Sequence, residues 1–421
     1  MTGIGATYTE IVAKRNSIII EPNVPVIIGK TKDRSNVLGV YEKCTLLKIK
    51  KYFESDIPFK KFITTPESFW KIKKVASELD INIHKDYFCL FDECEKIMQD
   101  VEFRENITQP IYDFFQFDNK AFVSATPLII KHLELELQKF ERWKIIPDYD
   151  YNIDIEIIGT DKFNIAVLEK LHSLQDSRCI CVFFNSVTGI NKIVTSLNET
   201  TDDYKIFCSE KSKKGLKELG LKNTYENLHL PLAKYNFFTC RFFSAVDIEL
   251  PYNPDIIILT DLQTAKHSMV DPLSEVIQIQ GRFREKHDGK KYNSITHITN
   301  FLIMNALTEE QVKREFEEWK ISYLALIERY KNSTETISKN AIEKEIRKGS
   351  IYPYLNKPDY TVNDFAVVNR YNEERVKGYY SLESELIKAY SNSGTFNPIY
   401  IDKIDRTFNF NFDVDLQLPG K

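Results

Sequence analysis

Phe88-Cys89-Leu90-Phe91-Asp92-Glu93-Cys94-Glu95 is the stretch on which the reading of this chain turns. A short apolar run with no charge inside it reads as a strand buried on both faces, and carboxylates emerge where it ends. In a sheet of parallel strands, ligand and metal sites lie at that carboxyl edge. Asp92 there could hold a divalent cation, and Glu93 could orient or deprotonate an attacking water. The same letters also fit a strand followed by a solvated acidic turn, so the stretch has to be weighed with its surroundings.

Similar apolar runs recur on both sides of it. Ser17–Ile20, Lys61–Ile63 and Ala121–Val123 read as buried strands, as do Cys179–Phe184, Tyr204–Phe207, Phe237–Cys240, Ile256–Leu259 and Ile295–Ile298. Amphipathic stretches such as Glu67–Leu79 and Asn164–Leu174 lie between them. Strands alternating with helices predict an α/β fold of parallel sheets covered by helices. The chain turns polar around Trp143–Tyr151, which divides the pattern into lobes over 1–147 and 148–307. Beyond that the texture changes. Thr308 and Gln311 have capping-box spacing, and Val312, Phe316, Trp319, Tyr323, Ile327 and Tyr330 follow at helical intervals, so 308–421 reads as a mostly helical extension. The tail from Ser391 alternates weakly at Phe408, Phe410, Phe412 and Val414 and suggests an edge strand.

The 421 residues are enough for two or three domains. Apolar residues make up 43% and charged residues 28%, the balance of a folded chain, and the net charge of −4 does not by itself advertise nucleic-acid binding. No run has the length of a membrane span, and no basic-then-apolar leader opens the chain. Seven cysteines, an odd number scattered through apolar contexts, suit reduced thiols in a cytoplasmic compartment. Cys179 and Cys181 share one face of a strand, but no second pair lies near to complete a zinc site. The lysine clusters 43–51 and 211–217 fit solvated faces as readily as phosphate contacts.

Three further stretches carry possible chemistry. Lys120-Ala121-Phe122-Val123-Ser124-Ala125-Thr126-Pro127 is another strand running into two hydroxyls. Gln278-Ile279-Gln280-Gly281-Arg282-Phe283-Arg284 places arginines beside a glycine, where they could reach phosphate oxygens or simply face solvent. Thr2-Gly3-Ile4-Gly5-Ala6-Thr7 has the glycines and hydroxyl of a phosphate cradle opening a helix, without its lysine.

In this order the stretches resemble the motifs of superfamily 2 helicases of the DEAD/DEAH-box type across roughly residues 1–300. Thr2–Thr7 resembles the Walker A loop (P-loop), Ile18–Pro22 motif Ia, and Thr64–Ser68 motif Ib. Asp92–Glu95 resembles motif II, Ser124–Thr126 motif III, Cys181–Ser186 motif IV, Phe238–Asp247 motif V, and Gln278–Arg284 motif VI. The resemblance implies two RecA-like lobes that bind ATP and Mg²⁺ between them and carry single-stranded DNA or RNA across their face. It implies phosphate contacts from Gly3, Gly5, Ala6 and Thr7, with Thr7 and Asp92 on the metal and Glu93 positioning water. Gln278 and Arg282 would face the γ-phosphate with Arg284 nearby. Ser124, Thr126 and Asp247 would couple the lobes, and Pro22, Thr65 and Thr239 would touch nucleic acid.

The chain departs from that pattern in three places. Ala6 stands where the Walker lysine belongs. The first glycine of the loop would fall before Met1, and the strand that feeds the loop is missing from the first lobe. Arg284 arrives one residue early, with Glu285 at the family's arginine position. Two functions therefore stand side by side: an ATP-dependent helicase or translocase, a hydrolase weakened by loss of the lysine, and a hydrolysis-deficient helicase-like protein that binds nucleic acid or serves as a scaffold. The residue usage is similar to that of phage or mobile-element helicases from AT-rich hosts.

Overall fold

Runs of β-branched and aromatic residues without internal charge need cover on both faces, and they find it in two stacks of parallel strands. The computed structural model describes residues 5–404, apart from 33, 102–103, 105–106, 127–132, 147, 198–202, 245, 285 and 356–360. The first sheet comprises β1 (Ser17–Ile20), β2 (Val37–Val40), β3 (Lys61–Thr64), β4 (Phe88–Phe91) and β5 (Asn119–Phe122), in the order β2-β3-β1-β4-β5. The second comprises β6 (Ile153–Thr160), β7 (Ile180–Phe184), β8 (Tyr204–Phe207), β9 (Thr224–Tyr225), β10 (Tyr235–Phe238), β11 (Asp255–Thr260), β12 (Ser294–Thr299) and β13 (Phe396–Lys403). Its order is β13-β6-β12-β11-β7-β10-β8-β9. All strand pairs are parallel. The fold class is thus α/β with two parallel-sheet lobes, followed by a mostly helical C-terminal part.

Side chains alternate between the two faces of each sheet. In the first lobe Ile18, Ile20, Phe62, Cys89 and Phe91 pack on one side, while Ile19, Ile63 and Leu90 face Ile11 and Ile27 on the other. In the second lobe Cys181, Phe183, Ile256 and Ile258 line one face, and Val182, Phe184, Ile257 and Leu259 the other. Register sets the level of the strand ends. Ile20 lies opposite both Thr64 and Phe91, and Phe91 lies opposite Phe122. Glu21, Thr65, Asp92 and Val123 therefore leave the first sheet at one edge.

Between the lobes the chain runs through 141–146 without regular structure, with Trp143 85% exposed. The C-terminal helices begin with Glu309–Asn332, whose capping box at Thr308 and Gln311 is complete, with both reciprocal bonds present. This helix buries Val312 and Phe316 against Val101 and Ile107 of the first lobe. Helix Asp364–Tyr379 touches both lobes: Phe365 joins the core of the first, and Tyr380, just past its end, joins that of the second. The segment 308–421 is more than a helical appendage, because its strand β13 pairs with β6 along the outer edge of the second sheet. The alternating positions Phe408, Phe410, Phe412 and Val414 lie outside the described residues. No described helix is long and apolar enough to cross a membrane.

Candidate functional site

At the carboxyl edge of the first sheet, acids cluster around a short helix. Gly5 precedes helix Ala6–Val12 in a left-handed conformation (φ 81°), with open space where a Cβ would stand. Thr7, in the first turn, is buried and donates its hydroxyl hydrogen to Asp92 Oδ2. Asp92 Oδ1 accepts from the amide of Glu93 at 3.1 Å. Glu93 itself adopts φ 46°, an unfavourable conformation for a residue with a Cβ and one that tends to persist where a turn has work to do. Asn23 Nδ2 donates to Glu93 Oε2 at 2.9 Å. Burial pushes the Glu93 carboxyl up to about 8, helped by the charge of Glu21 and opposed by Arg282.

Two residues with no role in the sequence reading complete this edge. Glu21, buried just after β1, and Lys30, from helix Val24–Thr31, pair at 3.1 Å. Lys30 Nζ also lies 3.0 Å from Thr7 Oγ1 and 3.3 Å from Asp92 Oδ2. Burial lowers the ammonium's affinity for its proton, but the charges of Glu21 and Asp92 outweigh that and hold its pKa above the ordinary lysine value.

The second lobe docks on the same edge. Helix Glu275–Gly281 carries Gln278, whose Nε2 donates to Glu95 Oε1 at 2.7 Å and to Thr126 Oγ1 at 3.1 Å. Thr126 in turn donates to the same Glu95 oxygen at 3.1 Å, and Ser124 Oγ accepts from the Thr126 amide at 2.9 Å. Burial raises the pKa of Glu95, while hydrogen bonds from Ser124 and Thr126 act against the rise. Arg282 is buried and held by the carbonyls of Ser244 (2.6 Å) and Gln278 (3.1 Å). Desolvation lowers its pKa, against the opposing charges of Glu93 and Asp247.

The structure thus gathers Thr7, Asp92, Glu93, Ser124, Thr126, Gln278 and Arg282 where the two lobes meet, linked by the contacts above. Gly5 and Ala6 lie on the first-lobe side, and Gly3 is outside the described residues. Arg284 turns instead to Asp247, at 2.8 Å, and Asp247 lies 3.7 Å from Arg282, so these three form a cluster within the second lobe. Pro22 and Thr65 are buried at the first sheet's edge. Thr239 is buried at the end of β10, donating to the Phe207 carbonyl at 3.3 Å. Of the lysine clusters, Lys213 pairs with Glu226 and Lys214 with Glu210. The residues that sequence reasoning passed over are Glu21, Asn23, Lys30 and Glu95. Glu21 and Glu95 stood inside quoted motifs without a part to play. Lys30 had no local signal at all.

Thr7 and Asp92 could offer oxygen ligands to a small hard cation. Among the described residues no cluster of three or more His, Cys, Asp or Glu side chains could hold a metal by itself. A hydroxyl and one carboxylate, at Thr7 and Asp92, are the partial set that Mg²⁺ accepts when phosphate and water oxygens supply the remaining ligands.

No family model matches the sequence, and no curated protein matches it. Among solved structures the chain is similar to S. cerevisiae Dbp5 bound to RNA and ADP BeF3, with TM-score 0.43, 13% identity, and coverage of 72% of this chain and 78% of that one. It is similar to a variant of the same protein bound to RNA and ADP BeF3 (TM-score 0.42, 14% identity, 82% and 86% covered). It is also similar to T4 UvsW (TM-score 0.24, 11% identity, 95% and 69% covered).

Proposed function

We propose that the chain is an ATP-dependent enzyme of the superfamily 2 helicase type, a translocase or helicase acting on single-stranded DNA or RNA in a reducing, cytoplasmic compartment. The observation that carries this reading is the junction of Gln278 with Glu95 and Thr126, formed beside an Arg282 whose charge faces Glu93. A contact made by side chains from both lobes can couple what binds beside it to the arrangement of the lobes. When bound with ATP, Mg²⁺ would supply charge neutralisation at the phosphates.

The protein's own groups divide the remaining tasks. Thr7 and Asp92 would hold the cation, with Gly5 and Ala6 leaving room for phosphate oxygens. Glu93 would orient water and accept its proton, and its enclosure keeps a proton acceptor within reach of neutral pH. Arg282 would offset charge developing on the transferred phosphoryl group. Gln278, Ser124 and Thr126 would tie closure of the lobes to the grip on a strand running across both. The free buried thiols of Cys44, Cys89, Cys94, Cys179, Cys181 and Cys208 support the assignment to a reducing compartment.

The deciding experiment compares ATP hydrolysis with and without single-stranded nucleic acid in the native protein and in Glu93→Gln. Stimulated turnover that falls by about 10²–10⁴-fold in the variant is expected from loss of a general base. Equal background rates in both proteins would end this reading. Ala6 favours a second one, a hydrolysis-deficient nucleic-acid-binding scaffold. It predicts strand binding that ignores ATP, so strand affinity that changes with ATP counts against it.

A further inference from the structure

We propose that Lys30 is the phosphate-binding lysine of this chain, supplied from helix Val24–Thr31 in place of the residue missing at position 6. The inference deepens the proposed ATP-dependent function and rests on it. A polyphosphate approaching Gly5 and Thr7 meets Asp92, Glu93, Glu21 and Glu95, all carboxylates. A cation on the first-lobe side would offset the charge of Asp92, which a polyphosphate meets beside Thr7. Ala6 cannot supply that cation, and Arg282 comes from the second lobe, where the Gln278 and Ser244 carbonyls hold it.

Lys30 stands where the charge is needed. Its ammonium contacts both groups assigned to the metal and phosphates, Thr7 Oγ1 at 3.0 Å and Asp92 Oδ2 at 3.3 Å. The third contact, Glu21 Oε2 at 3.1 Å, is an anchor: Glu21 has a side chain only 1% exposed, and its other oxygen accepts from the Asn23 amide at 3.3 Å. The Lys30 side chain is itself 28% exposed, which places it at the mouth of the network rather than sealed inside. A purely structural ion pair between Lys30 and Glu21 would not need the contacts to Thr7 and Asp92. A four-carbon arm rooted on a neighbouring helix can release Thr7 and Asp92 and turn to phosphate oxygens while staying near Glu21.

The test measures binding of a fluorescent ATP analogue, and of AMP as a competitor, to the full chain, with and without Mg²⁺. Lys30→Met is expected to weaken triphosphate binding by about 10–100-fold, the range of a charge-assisted hydrogen bond, and to leave AMP binding within about twofold. Adding Ala6→Lys to Lys30→Met should restore most of the lost affinity. In the native background Ala6→Lys should gain less than about threefold, because the cation is already present. This last variant keeps Lys30 and its partners, so it decides the matter even if Lys30→Met folds poorly. Triphosphate binding unchanged in Lys30→Met, or a tenfold or greater gain from Ala6→Lys alone, overturns the assignment while leaving an ATP site in place. A native protein that binds no ATP in any condition overturns the assignment and the proposed function together.

Discussion

Gln278 reaches across the lobes to an acid and a hydroxyl that already share a hydrogen bond, so one side chain has partners in two sequence motifs. Gln278→Ala removes both bonds and leaves Glu95 buried with one partner fewer, a loss of about 1–3 kcal/mol in the closed arrangement. The expected outcome is weakened nucleic-acid stimulation of ATP hydrolysis with little change in melting temperature, checked by steady-state rates alongside thermal unfolding. A second prediction concerns His297, buried in β12 between Tyr390 OH (2.7 Å) and Thr260 Oγ1 (3.0 Å). Burial pushes its pKa from 6.5 down to about 3. Unfolded, the ring takes a proton near pH 6.5. Folded, it stays neutral until about pH 3, so the unfolded chain binds more protons across that interval. Stability should therefore fall as pH drops below about 6.5, by up to about 1.4 kcal/mol per unit, and melting curves of His297→Asn should lack that part of the slope. At this scale Asp92, Glu93, Ser124, Thr126, Gln278 and Arg282 could be picked out from the letters because each follows or flanks a recognisable run. Lys30 could not, because its partners Thr7, Glu21 and Asp92 come from other segments and only the sheet register brings them together.

Helix Ala6–Val12 is too short to hold itself, and no described strand leads into it. Its anchor is Glu10, buried and paired with Arg15 and with Ser17 of β1. Lys61 of β3, wholly buried, donates to the Glu10 carbonyl at 2.7 Å and to Ser17 Oγ at 2.9 Å. Lys61→Met should cost about 1–3 kcal/mol by leaving the Glu10 carbonyl and the Ser17 hydroxyl a donor short, and should loosen the turn at Gly5. Hydrogen exchange over residues 6–12, compared with the core of the second lobe, would show whether the loss is local. At the other end of the chain, Thr308→Ala breaks the capping box of helix Glu309–Asn332 and should lower stability by about 1 kcal/mol in denaturant unfolding. Elements were legible where the pattern was simple. Ser17–Ile20 and Tyr204–Phe207 form strands over the expected residues, and the capping box starts its helix. β6 escaped notice because Asp154 and Glu156 interrupt its apolar residues, and β2 because a glycine sits inside a four-residue run. The tail from Ser391 predicts an edge strand, and β13 is one, but it lies over Phe396–Lys403, where proline and asparagine blur the alternation, ahead of positions 408–414.

Across the whole molecule the lobes are joined twice in the chain. One joint is the exposed passage at 141–146, and the other is helix Asp364–Tyr379 with Phe365 in the core of the first lobe and Tyr380 beyond its end in that of the second. Arg375, from the same helix, pairs with Asp271 of the second lobe at 2.8 Å. Phe365→Ala should cost about 3–5 kcal/mol locally and free the lobes to separate, seen as a larger radius of gyration in small-angle scattering. That helix gives the protein something like a book's spine. Its two covers are held by the C-terminal segment as well as by the passage at 141–146, so a protease that nicks the chain beside Trp143 should yield two halves that stay bound and keep their pages aligned.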